Sequence, residues 1–104
     1  MTSLSHAKQR LSTAVHGLAS GHGPIKERLE AAFLVCAPLL PEDFPEGELR
    51  HKWFEIREIL TAKEATESKD RLKATLSEMD QHKASKIAGM LVELALRVHE
   101  FHRP

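Results

Sequence analysis

With 104 residues, 41% hydrophobic and 29% charged, the chain has the length of a single domain and the makeup of a folded protein rather than a disordered one. Fifteen Lys and Arg balance fifteen Asp and Glu, so no net field advertises a nucleic-acid or anionic-membrane partner. The lone Cys36 excludes an intramolecular disulfide scaffold, and no apolar run approaches a signal-peptide core or the ~18 residues of a membrane span, so the expectation is a cytoplasmic protein without membrane contact.

Sustained apolar/polar alternation and hairpin dipeptides are missing, and what recurs is helical spacing broken by Gly and Pro. The first helix is expected from about Ser3 to Ser20. Leu4, Ala7, Leu11, Ala14, Val15 and Leu18 form its single stripe, with His6, Arg10, Thr13 and Gly17 facing away. "SGHG" ends it, since Gly21 or Gly23 can take the left-handed conformation of a helix stop.

Pro24 suits the first turn of the second helix, and Glu27 and Glu30 favour its positive N-terminal end. "IKERLEAAFLVCAPLL" then reads as apolar nearly all round, which predicts a central or interfacial helix ending at Ala37, before Pro38.

Pro41 and Pro45 bracket a short turn in "LLPEDFPEGEL", with Asp43 a candidate N-cap and Glu46 and Glu48 near the next helix start. The third helix is expected over about 45–60. Leu49, Trp53, Ile56 and Leu60 form its stripe, Ile59 flanks it, and Phe54 points well off it. "TAKEATESKD" reads as a loop, in which Thr61 and Glu64 have capping-box spacing.

Ser68 is the candidate cap of a short fourth helix with Leu72, Leu76 and Met79 on its inner face. Asp80 caps the last helix, about 81–102. Its main stripe is Ile87, Met90, Leu91, Leu94, Val98 and Phe101, while Val92 and Leu96 lie almost opposite, joined to the stripe by Ala88 and Ala95. Polar residues are confined to Lys86, Glu93, Arg97 and Glu100, with Glu93 and Arg97 at the favourable i,i+4 spacing. A bundle this small has few places to bury two faces of one helix. Either the helix threads the middle or its second face meets another chain.

Three sets of residues invite a chemical reading. His99 and His102, three apart, could share a metal ion, but a stable site needs further ligands and supporting contacts that nothing in the sequence brings near. On the helical wheel His99 borders the second apolar face, and His102 lies at the chain's end. The acids Glu42, Asp43, Glu46 and Glu48 are more simply caps and helix-start charges than paired catalytic carboxylates, and the calcium-loop pattern is missing. Residues 68–100 have a helix-turn-helix rhythm with Lys83, Ser85 and Lys86 on the second element. That element, however, is apolar on two faces and lacks clustered bases. Nucleophile elbows, P-loops and dinucleotide fingerprints are not found, so neither a cofactor nor an enzymatic activity is expected.

The sequence therefore predicts an all-α fold over 1–104, a compact bundle of four to five helices around a central C-terminal helix. The function it suggests is that of a small non-catalytic interaction protein, a homodimer or the partner of another protein. Its candidate interface residues are Val92, Leu96 and His99, with Phe54 outlying. A DNA-associated regulator using residues 68–100 and a metal-binding protein using His99 and His102 are the alternatives.

Overall fold

A computed structural model describes residues 4–101. It contains five α-helices: α1 (Leu4–Ser20), α2 (Ile25–Cys36), α3 (Glu48–Leu60), α4 (Arg71–Ser77) and α5 (Gln81–Glu100). A single 3-10 turn, Pro41–Asp43, interrupts the connection between α2 and α3. The all-helical expectation holds. The helix pairs α1 and α2, α1 and α5, and α3 and α5 run antiparallel, α5 also touches α2, and α4 bridges α2 and α3. The last helix is therefore central, in contact with three others.

The first stripe folds as its spacing demands. Ala7, Leu11, Ala14 and Leu18 are buried on α1, whereas Val15, at the stripe's edge, is only half-buried. Arg28 closes the α1–α2 corner by donating to the Leu18 carbonyl (2.8 Å) and the Gly23 carbonyl (3.1 Å). Gly23 makes that corner possible because its φ is +96°, a region side chains avoid. Higher up, Arg10 reaches the Val35 carbonyl at 3.4 Å.

The second helix departs from its reading. It is not buried all round. Leu29, Ala32, Phe33 and Cys36 face the core, and Leu34 projects outward at 56% exposure. A 100° step sets Leu34 about opposite the buried stripe, one turn beyond Glu30, which pairs with Lys73 of α4 at 3.5 Å.

The acidic turn also resolves differently. Asp43 is buried and belongs to the 3-10 turn, where its carboxylate accepts from the Leu40 N–H (2.8 Å) and lies 3.7 Å from His6 Nδ1. The N-cap of α3 is instead Gly47, whose φ of +105° and ψ of −138° suit glycine alone. Two arginines of α3 stitch this connection to the helix, Arg50 donating to the Phe44 carbonyl (2.8 Å) and Arg57 to the Ala37 carbonyl (3.2 Å). Inside, Trp53 packs against Phe33 and Phe44, with ring centroids 5.8 and 5.7 Å away.

The cap of α4 is Asp70, not Ser68: its carboxylate accepts from the Lys73 N–H at 2.9 Å. Thr61 donates to the Arg57 carbonyl instead of opening a capping box. The loop is held by Thr75, buried on α4, which accepts from the Lys63 N–H (3.0 Å) and donates to the Arg71 carbonyl (2.8 Å). Met79 is buried in the turn beyond α4 rather than on it. Asp80 caps α5 as expected, accepting from the Lys83 N–H at 2.7 Å.

Candidate interaction surface

α5 buries Ala84, Ile87, Ala88, Leu91, Leu94, Ala95 and Val98. α1 packs on α5, with Ala95 lining the same groove as Ser12 and Val15. That packing does not cover the rest of the second face. Val92 is half-buried, and Leu96 is 60% exposed, more than any other large apolar side chain described. Together with His99 and Ala95 from α5, and Ser12 and Val15 from α1, they line a groove of about 190 Å³ between the two helices.

Three of the four candidate interface residues thus converge on one groove. Phe54 does not. It is 48% exposed on α3, on the ridge between Arg50 and Arg57 that borders the 37–44 connection. Leu40 in that connection is 54% exposed, and neither it nor Leu34 stood out in the sequence. Ser12 and Val15 were hidden for a different reason. Val15 scans as core, and only the crossing of α1 with α5 turns it toward the groove.

Helical periodicity extends the groove into a strip. Ser85 and Gly89 continue the Val92–Leu96–His99 side of α5, and Lys8 and Ala19 continue the Ser12–Val15 side of α1. All four are more than superficially accessible, Lys8 partly and the other three fully. Among the described residues of this strip only Lys8 carries a formal charge, in a chain where 29% of residues are charged. Lys86, Glu93, Arg97 and Glu100 lie on the side of α5 turned away from α1, where Glu93 and Glu100, one turn on from Gly89 and Leu96, border the strip.

Gly89 stands out within the strip. It is helical, yet a Cβ built there would meet no atom within 4 Å. Nothing inside the protein requires a glycine at this position, although glycine in a helix interior costs roughly 1 kcal/mol relative to alanine.

The polar candidates fall elsewhere. Arg97 pairs with Glu48 on α3, not with Glu93, which acts on it only at longer range. The Arg97 hydrogen bond and charge hold the Glu48 carboxyl below its usual range and raise the guanidinium in return. The pair lies in an open groove of about 370 Å³ where the C-terminal end of α5 meets residues 45–49. Two of the four acids, Asp43 in the 3-10 turn and Glu48 at the start of α3, are therefore engaged in structural contacts.

His99 lies in the α1–α5 groove, and His102 lies outside the described residues. Among the described residues, no three His, Cys, Asp or Glu side chains gather as a metal site would require. Lys83, Ser85 and Lys86 are exposed on the first turns of α5, while α4 packs on α2 and α3. Cys36 is buried, and burial pushes its thiol up to about 12. Among the described residues no helix is long and apolar enough to cross a membrane. Compared with known families, characterised proteins and solved structures, the chain shows no significant match.

Proposed function

We propose that this is a non-catalytic interaction protein whose binding surface is the α1–α5 strip and whose partner is a second copy of the chain. The observation that carries the reading is Leu96, which stands 60% exposed in a groove with Val92, Val15 and His99. An exposed leucine alone is unremarkable. One set in a nearly charge-free strip spanning two helices is different, because burying that strip removes apolar surface from water without stranding charges.

A second copy suits the strip on two counts. The strip's own residues carry one charge, Lys8, with Glu93 and Glu100 only at its border, and a twofold interface uses the same patch on both subunits. Size agrees as well. A strip as long as α1, about 25 Å, and two helices wide, about 20 Å, projects on the order of 500 Å². Side-chain relief raises the accessible area toward the roughly 800 Å² per partner of a standard interface.

Sedimentation velocity across the micromolar range tests this directly. A concentration-dependent dimer is expected, and Leu96→Glu should weaken it at least about tenfold, the effect of truncating a central interface residue. Because Leu96 is exposed in the protomer, the variant should keep its helix content and unfolding midpoint. A wild-type protein that sediments as a monomer throughout overturns the reading.

A further inference from the structure

Resting on that reading, we propose a specific register for the dimer: α5 packs antiparallel on its own copy about a twofold axis at Val92, and Leu96 of each protomer seats over Gly89 of the other. Along the exposed side of α5 run Ser85, Gly89, Val92, Leu96 and His99. Leu96 is a projection, and Gly89, about two turns away, is a dent with open space above it. The two lie at nearly equal distances on either side of Val92. A twofold axis perpendicular to α5 at that height therefore places each projection over the opposing dent, faces Val92 with its copy, and brings His99 beside the partner's Ser85. The pairing is isologous, as a closed dimer requires.

The same axis keeps apart the two copies of Lys8, the charge carried by the strip's own residues. α1 runs antiparallel to α5, since His6 near its start and Arg97 near the end of α5 both meet the 43–48 segment, and Val15 and Val92 both line the groove. Each α1 then faces its own copy near Val15, opposing Ser12 to Ala19. The two Lys8 residues lie seven positions from that centre, so about 21 Å of helix separates them. At that distance, beyond the roughly 8 Å Debye length of physiological salt, their repulsion is screened. A parallel arrangement would instead set Leu96 against Leu96, leaving the dents at Gly89 empty. The antiparallel register also gives Gly89 a reason that the protomer does not, since a side chain there would hold the two helices apart.

Cysteine cross-linking in the full chain tests the register. Cys36 is buried with its thiol pushed up to about 12, so it stays unreactive as a background. Treated with oxidised glutathione or a short bismaleimide, Val92→Cys should form a covalent dimer with itself. Leu96→Cys alone should not, because the two thiols would be about 12 Å apart along the helices. An equimolar mixture of Leu96→Cys and Gly89→Cys should cross-link. Gly89→Leu, which has room in the protomer, should weaken association at least tenfold while leaving helix content unchanged. A wild-type dimer in which Val92→Cys fails to cross-link and Gly89→Leu associates normally overturns this register and leaves self-association standing. A wild-type monomer at every concentration overturns both.

Discussion

Arg97, in the last turn of α5, closes an ion pair on Glu48, the first residue of α3 and 49 positions earlier in the chain, and so ties the two helices together. The contact is exposed. Its effect is therefore expected more in titration than in stability.

The Glu48 carboxyl should titrate below the usual carboxylate range, because the Arg97 hydrogen bond and charge favour its ionised form. The sign follows from linkage. Its contribution is present above the unfolded-state value and is lost as pH falls through the lowered folded value. Carboxyl-carbon NMR of the wild type and of Arg97→Gln checks this, with the Glu48 midpoint returning upward in the variant. Molar salt should shift the wild type in the same direction.

Removing a ring from the Trp53 stack should cost far more. Phe44 is fully buried against Trp53, so Phe44→Ala both loses transfer energy and leaves a cavity. A loss of about 3–5 kcal/mol is expected, a large part of the roughly 5–15 kcal/mol that holds a typical domain together. Urea denaturation followed by the fluorescence of Trp53, the chain's single tryptophan, measures it.

The caps separate two readings of one loop. Asp70→Ala and Asp80→Ala should each destabilise by about 1 kcal/mol, since each carboxylate accepts from a first-turn N–H. Ser68→Ala should be nearly neutral. An equal loss at Ser68 in thermal unfolding would contradict the cap assignment.

Cys36 should resist alkylation in the folded protein at pH 8 and react quickly in urea. Burial keeps its thiol protonated up to about 12, against an ordinary value of 9.0. Stability linked to this group is complete below the unfolded value and declines as pH rises from 9 toward 12, because only the unfolded chain releases the proton there. Iodoacetamide kinetics followed by mass spectrometry check the first point, and alkaline unfolding of Cys36→Ala against wild type checks the second.

The sequence by itself determined the helices and most of their inward faces. Leu11 and Leu18, Trp53 and Ile56, Leu91 and Val98 are buried where their 3.6-residue spacing puts them, because that spacing fixes which side chains share a side of a helix. It also separated Val92 and Leu96 from the main stripe of α5. Periodicity cannot say what covers a second side, since that depends on a neighbour distant in the chain. The packing of α1 on α5 beside Ala95 decided it, leaving Leu96 exposed with Val15 in the same groove. Tertiary packing likewise gave Arg97 a partner on α3 rather than one turn away, left Leu34 in solvent on the outer side of α2, and set Phe54 apart from the groove. Local spacing chose the faces, and the helix crossings chose which of them remained open.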